Sequence, residues 1–108
     1  MITKNDFASY TYEEKKEYLI SILSDISDKF KLSKIILKLL HNHSPSDTFL
    51  ISTFNQLEIM EQEWKKVLDL KDKEHIIHLN NIAENFDELS DKEKNEAETD
   101  LIKNLANI

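Results

Sequence analysis

The sequence predicts an all-α fold: a bundle of four to five helices packed up and down around one long central helix. Glycine is absent and proline occurs once among the 108 residues, whereas the tight turns of β-hairpins depend on glycine. Apolar residues recur with the 3.6-residue period of amphipathic helices in successive segments. Two Ser/Thr-x-x-Glu sequences match the signature of a helix N-terminus. One helical domain, residues 1–108, is expected for this length.

The longest helix is predicted over about residues 45–70. Ser44 is expected to be its N-cap, because a serine hydroxyl can accept a hydrogen bond from a free N–H of the first turn. Pro45 would then occupy the first helical position, where no N–H is needed. Eight apolar side chains share one face at 100° per residue, and we expect the other helices to pack on that face. These residues are Phe49, Leu50, Phe54, Leu57, Met60, Trp64, Val67 and Leu68.

Residues 1–10 show no apolar period and are expected to be loosely ordered. The first helix is predicted to follow Thr11, which forms a capping box with Glu14. The apolar stripe changes phase near residues 31–33, which predicts a break with Ser33 as the next N-cap.

The second helix is predicted to end near residues 41–43, with Asn42 in the left-handed conformation that glycine usually supplies. A gap in the apolar stripe at residues 70–74 predicts a turn, although one continuous helix to residue 88 also fits the phase. Ser90 and Glu93 form a second capping box, which predicts the start of the last helix.

Missing residue types exclude several kinds of chemistry. Without glycine the chain has no phosphate-binding loop, dinucleotide fingerprint or nucleophile elbow. Without cysteine it has no disulfide, thiol nucleophile or cysteine-ligated metal. We therefore expect no catalysis and no cofactor. The first residues lack the apolar core of a signal peptide, and no apolar run is long enough to span a membrane. A cytoplasmic location is therefore expected.

Charge is unevenly distributed along the chain. Residues 1–44 carry a net charge of +1 and residues 45–108 a net charge of −8, which gives −7 overall. All 14 basic residues are lysine, and arginine is the preferred side chain for phosphate and guanine recognition. We therefore expect no direct binding to nucleic acid. The expected partner is another protein, and the charge favours a basic one.

Two groups of residues are candidates for contact with that partner. Ile51 and Ile59 lie off the main apolar stripe, so they need a second contact, either another helix or a second copy of the chain. The acidic residues can steer a basic protein towards the surface. They can also present carboxylates where phosphates would lie, as an acidic nucleic-acid mimic does. The acidic candidates are Glu84, Asp87, Glu88 and Asp91.

Residues 29–43 form a basic amphipathic segment. Lys31, Lys34, Lys38 and His41 share one face, opposite an apolar face. Such a helix can lie on an anionic membrane or contact an acidic protein. The simpler interpretation is a core helix with solvated lysines. Because the rest of the chain is acidic, we expect no stable membrane association.

The histidines occur as two pairs, His41 with His43 and His75 with His78. Imidazoles from both pairs could bind zinc or copper if the fold brought them together. The simpler interpretation is that they are turn, packing and surface residues. They are therefore weak metal candidates, and no metal site is predicted.

The sequence favours a non-catalytic protein-binding module: a small acidic helical adaptor, regulator or inhibitor, with homodimerisation as one form of contact. Three alternatives stay open. The first is a metal-binding protein or metalloenzyme that uses the histidine pairs. The second is an acidic nucleic-acid mimic that blocks a nucleic-acid-binding protein. The third is a peripheral membrane protein that binds through residues 29–43.

Overall fold

The structure is a computed structural model that describes residues 1–28, 30–61 and 73–106. Within these ranges the chain forms six α-helices, one 3-10 turn and no strand, which confirms the all-α prediction. The helices are α1 (Lys4–Ser9), α2 (Tyr12–Ile26), α3 (Lys31–Asn42), α4 (Asp47–Glu61), α5 (Lys73–Glu84) and α6 (Asp91–Ala106), and the 3-10 turn Phe86–Glu88 lies between α5 and α6.

The helices pack as a bundle around one core. Helix α4 contacts α1, α2 and α6, while α3 contacts α2 and α5. Each helix contributes a fully buried side chain, namely Phe7, Leu19, Leu39, Phe54, Leu79 and Leu101. Burial of each such side chain contributes roughly 1.5–3 kcal/mol. Helix α4 therefore packs on three of the other helices, whereas α5 packs chiefly on α3, which in turn packs on α2. The prediction of one helix over about residues 45–70 is confirmed for Asp47–Glu61, and residues 62–70 lie outside the described residues.

Helix α4 begins two residues later than predicted. The Ser46 hydroxyl accepts a hydrogen bond from the Phe49 N–H (3.1 Å), and the Ser46 carbonyl accepts the first helical bond from Leu50 (3.2 Å). Ser46 is therefore the N-cap. The predictions of Ser44 as N-cap and of Pro45 as the first helical residue are wrong, because tertiary contacts described below hold Pro45 and Ser46 outside the helix.

The predicted apolar face of α4 is confirmed where it is described. Its members Phe49, Leu50, Phe54, Leu57 and Met60 are all buried. The remaining predicted members, Trp64, Val67 and Leu68, lie outside the described residues, as do residues 70–72 of the turn predicted at 70–74. Residues 73 and 74 belong to α5, which begins at Lys73, so the predicted turn is wrong for these two residues.

The capping box of α2 is confirmed. The Glu14 N–H donates to the Thr11 hydroxyl (3.2 Å), and the Thr11 N–H donates to the Glu14 carboxylate (2.9 Å). These hydrogen bonds, the one from the Thr11 backbone first, hold the pKa of Glu14 below its ordinary value. The second box is confirmed in the same way, with two Ser90–Glu93 hydrogen bonds of 3.3 Å at the start of α6.

The predicted break between the first two helices is confirmed, but its details differ. Helix α2 ends at Ile26, and Phe30 rather than Ser33 precedes α3 as its N-cap. Ser33 is buried inside α3, where its hydroxyl donates to the Phe30 carbonyl (2.6 Å). After Asn42 the chain leaves the helix in an extended conformation at His43, and no described residue has a positive φ. The predicted left-handed cap at Asn42 is therefore wrong.

The first ten residues, for which loose order was expected, contain helix α1. Its Phe7 ring is fully buried and stacks on Phe54 of α4, with 4.2 Å between ring centroids and an interplanar angle of 7°. The Ile2 N–H also donates to the Tyr18 hydroxyl of α2 (3.0 Å). These contacts join residues far apart in sequence, so the local apolar period gives no sign of them.

Within the described residues, no helix combines the length and the apolar content that crossing a membrane requires.

Replacing Phe7 with alanine should lower the free energy of unfolding by about 3–5 kcal/mol, because it removes a buried ring and leaves a cavity against Phe54. Urea denaturation measures this change. The matched control is Asn5→Ala on the exposed side of α1, for which a change below about 0.5 kcal/mol is expected. A similar, small effect for both substitutions would show that α1 does not pack on the core.

Candidate functional site

Polar side chains of α2 hold the segment that links α3 to α4. We call residues 43–47, which include the first residue of α4, the connector. The Tyr12 hydroxyl donates to the Pro45 carbonyl. The Lys16 ammonium donates to the His43 carbonyl (2.9 Å), and the Lys15 ammonium forms an ion pair with Asp47 (2.7 Å). Lys15 is only 6% exposed, so its charge requires this partner. The connector therefore has a defined path across the bundle.

Helix α6 binds the same connector through Glu98, which is 8% exposed. The Ser46 hydroxyl donates to Glu98 Oε1 (2.5 Å), and the Ser46 N–H lies 3.3 Å from both carboxylate oxygens. Ser46 thus binds the carboxylate and caps α4 with the same hydroxyl. This arrangement places a negative charge at the positive N-terminal end of α4, where it is favourable.

Among the described residues, Glu98 has hydrogen-bond donors but no cationic partner. None of the ion pairs among residues 1–28, 30–61 and 73–106 involves its carboxylate. Buried charges in proteins are normally paired with an opposite charge or with a metal. Glu98 is therefore an unusual feature of the surface between α4 and α6.

An open groove of about 350 Å³ lies between the start of α4 and the middle of α6. Apart from Phe49 and Ile102, its lining is polar. The lining residues are Ser46, Thr48, Phe49, Ser52, Asn95, Glu98, Thr99 and Ile102. The groove therefore combines hydroxyl groups, one amide and one carboxylate with two apolar side chains.

Burial raises the pKa of Tyr12 above its ordinary value, and the charges of Glu13, Glu98 and Asp47 raise it further, against an opposing hydrogen bond with the Ser44 side chain. Nearby negative charge favours the neutral phenol over the phenolate. The Tyr12 hydroxyl is therefore held in its protonated form, in which it donates to the Pro45 carbonyl.

The predicted acidic residues lie at the end of α5 (Glu84), on the 3-10 turn (Asp87 and Glu88) and at the start of α6 (Asp91). Residues 84–100 contain eight acids and two lysines, a net charge of −6 in a chain whose total is −7. We call the exposed carboxylates of Glu88, Asp91, Glu93 and Glu96 the acidic surface. The other predicted acids, Glu84 and Asp87, are exposed but form ion pairs.

Those two ion pairs connect the acidic region to α3 and its C-terminal end. Glu84 pairs with Lys38 (3.1 Å). The Asp87 carboxylate lies 2.7 Å from His43 Nδ1, but the angle between the two groups is unsuitable for a hydrogen bond. The His43 ring also lies beside Phe86, with 6.1 Å between ring centroids. These contacts hold the 3-10 turn against the connector.

The basic face of α3 is partly engaged in contacts within the chain. Lys31 and Lys34 are exposed, whereas Lys38 donates to the Asn80 side chain (2.8 Å) in addition to its ion pair. The opposite face of α3 forms part of the core, with Leu32, Ile36 and Leu39 fully buried. The apolar face that a membrane would need is therefore already covered in the folded chain.

The two histidine pairs lie in different surroundings. His41 is exposed at the end of α3 and His43 packs against Phe86. On α5, His75 Nε2 lies 2.5 Å from the Asn104 side-chain oxygen, and His78 Nε2 lies 3.9 Å from the Asp100 carboxylate. In the described part of the chain, no three side chains among His, Asp and Glu are arranged to hold a metal ion.

The two apolar partner candidates also differ. Ile51 is partly buried against the core, so its second contact is another part of the same chain. Ile59 is 60% exposed. Ile77 on α5, which the sequence did not single out, is exposed to a similar degree at 59%.

Lys15 and Glu98 were not among the predicted site residues, although the position of each relative to the apolar stripe of its helix indicates burial. At about 100° per residue, Lys15 lies about 40° from Leu19 on the surface of its helix. Glu98 lies about 20° from Leu105 and about 60° from Leu101. A charged residue inside an apolar stripe indicates a buried charge with a specific partner, and both residues fit that description.

Comparisons of the chain with protein-family models, with curated proteins and with solved structures found no match. The function is therefore inferred from the residues and contacts of this chain.

Replacing Tyr12 with phenylalanine should lower the free energy of unfolding by about 1 kcal/mol at pH 7, because the Pro45 carbonyl loses its donor. The pKa of Tyr12 is raised in the folded state. Its contribution is therefore complete below the ordinary tyrosine pKa of about 10 and is lost as the pH rises through the raised value. Urea unfolding of both proteins at several pH values measures the difference.

The control for this experiment is Tyr10→Phe, for which a change below about 0.5 kcal/mol is expected. A difference between wild type and Tyr12→Phe that increases with pH would contradict the assigned role of the hydroxyl.

Proposed function

We propose that this protein is a non-catalytic binding module that recognises a basic protein through its acidic surface. The observation that carries the proposal is the concentration of charge: residues 84–100 account for a net charge of −6 out of −7. Long-range attraction from such a surface raises the association rate of an oppositely charged partner and selects against acidic proteins.

The availability of these carboxylates supports the proposal. Glu88, Asp91 and Glu96 are exposed, and no ion pair found among the described residues involves them. They lie on the 3-10 turn and on α6, which pack on each other and on the core. A preorganised surface loses less conformational entropy on binding than a flexible acidic tail does.

Exposed apolar residues give weaker support for self-association. In the part of the chain that the structure describes, the large exposed apolar side chains are Met1, Ile59 and Ile77, and they come from three different segments. Small numbers of exposed apolar residues are ordinary on protein surfaces. The proposal therefore relies on the charged surface.

Neutralising three carboxylates of the acidic surface should weaken binding to a basic ligand. The test variant is Glu88→Gln/Asp91→Asn/Glu96→Gln, which keeps Glu93 because that residue caps α6. The ligand is a peptide of alternating lysine and serine, and calorimetric titration at low salt measures its affinity. Exposed ion pairs contribute about 0.2–1 kcal/mol each, so the loss of three should raise Kd roughly threefold to hundredfold. Binding by the wild type should also weaken as salt increases.

The matched control removes three exposed acids from a different surface, as Glu17→Gln/Asp25→Asn/Asp28→Asn. This variant has the same net charge as the test variant, so it should keep most of the wild-type affinity if position decides binding. Equal losses in both variants would mean that only total charge matters, and the proposed surface would be rejected.

The same three proteins can then be used as baits in an extract of the native host. The partner is expected among basic proteins that wild type and control retain and that the test variant loses. Recovery of the same proteins with all three baits would contradict the assignment.

A further inference from the structure

We propose that the groove between α4 and α6 receives a lysine or arginine side chain of the bound partner, with its cationic end directed at Glu98. This inference rests on the proposed function, because it names the chemistry by which a basic protein would be recognised next to the acidic surface.

The buried negative charge of Glu98 favours a cationic ligand. The carboxylate is 8% exposed and forms no ion pair among the described residues. The N-terminus of α4 supplies the equivalent of about half a positive charge. About half of the negative charge is therefore left uncompensated in a site with little water, where a cation interacts more strongly than at the surface.

The hydrogen bonds of Glu98 to described residues use only part of the acceptor capacity of its carboxylate. An ionised carboxylate offers about four acceptor positions. Among the described residues only Ser46 donates to them, and Oε2 accepts one hydrogen bond there, from the Ser46 N–H at 3.3 Å. Lysine brings three donors and arginine five, and neither side chain carries an acceptor. A cationic side chain therefore matches the free acceptor capacity of the site.

The lining of the groove suits a long side chain with a charged end. Phe49 and Ile102 provide apolar surface for the methylene groups of a long side chain. Oxygen atoms of Thr48, Ser52 and Thr99 can accept further hydrogen bonds from its charged end. The volume of about 350 Å³ lies at the lower end of the range for small-ligand sites, so one lysine or arginine side chain can fit into the groove.

The groove lies on the same helix as part of the acidic surface. Asn95, Glu98 and Thr99 line it from α6, and the same helix carries Asp91 and Glu96 of the acidic surface. A basic segment attracted by those exposed carboxylates would therefore be close to the groove. The exposed acids then provide attraction at long range, and the groove provides one directed contact.

The test uses NMR titration of the full chain with Nα-acetyl-lysine methylamide or its arginine counterpart, in a buffer of high ionic strength. The expected result is a saturable shift of backbone amide signals from Ser46, Phe49, Glu98 and Thr99 with at least one of the two ligands. The neutral control is Nα-acetyl-norleucine methylamide, which has an apolar stem and no charge. Absence of saturable shifts with both cations, or equal shifts with norleucine, would overturn the proposal.

Two variants locate the binding. Glu98→Gln keeps an oxygen acceptor for Ser46 but removes the charge, so the affinity for the cationic ligand should fall about tenfold or more. Ser52→Leu fills the groove and leaves the contact between Glu98 and Ser46 in place, so it should abolish the shifts without unfolding the chain. Wild-type binding by a folded Glu98→Gln protein would overturn the proposal, and wild-type binding by Ser52→Leu would do so if the first variant does not fold.

This experiment can fail independently of the proposed function. The variant Glu88→Gln/Asp91→Asn/Glu96→Gln should still bind the single amino-acid ligand at high salt, because the groove is unchanged. If the groove binds the ligand but neutralising the acidic surface has no effect on the peptide, the function proposal falls and the groove stands. If the peptide depends on the acidic surface but the groove binds nothing, only this inference falls.

Discussion

The connector of residues 43–47 crosses from α3 to α4 with two of its backbone carbonyl groups paired by side chains of a neighbouring helix. Backbone carbonyl groups that leave water need a donor, and here Tyr12 and Lys16 of α2 provide donors for Pro45 and His43. Glu98 of α6 accepts from Ser46 at the other side of the same segment. The start of α4, the position of α6 and the shape of the groove between them all depend on this set of contacts.

The acids of the second half of the chain serve different physical purposes. Glu93 completes a capping box, and Glu84 and Asp87 pair with Lys38 and His43. Glu98 is buried at the N-terminus of α4. Among the described residues, Glu88, Asp91 and Glu96 are exposed and take part in none of the ion pairs, so they act directly on the surface potential. Net charge alone therefore overstates how many acids are available to a partner.

Much of the fold could be predicted from the sequence because its signals are local. The capping boxes Thr11–Glu14 and Ser90–Glu93 each use residues within one turn, and the structure confirms both. The apolar period of α4 likewise predicted which described side chains are buried. Less of the candidate site could be predicted. The acidic surface followed from composition, whereas the groove needs the relative placement of α4 and α6.

Two of the incorrect predictions, the N-cap of α4 and the loose order of residues 1–10, have the same physical cause, which is contact between distant parts of the chain. Ser44 and Ser46 are both good N-cap residues, and local propensity favoured Ser44 because Pro45 follows it. Contacts with Tyr12 and Glu98 decide for Ser46. Helix α1 is a similar case, because a six-residue helix has little stability of its own and depends on the packing of Phe7 against Phe54.

The sequence by itself determined the overall charge, which follows from composition. It also determined the helical class and the capped starts of α2 and α6, because these depend on neighbours within one or two turns. Tertiary structure decided which acids are buried, paired or exposed. It also decided that Lys15 and Glu98 meet the connector. A residue's burial and its distant partners depend on how helices pack, and a one-dimensional pattern records only the face on which a residue lies.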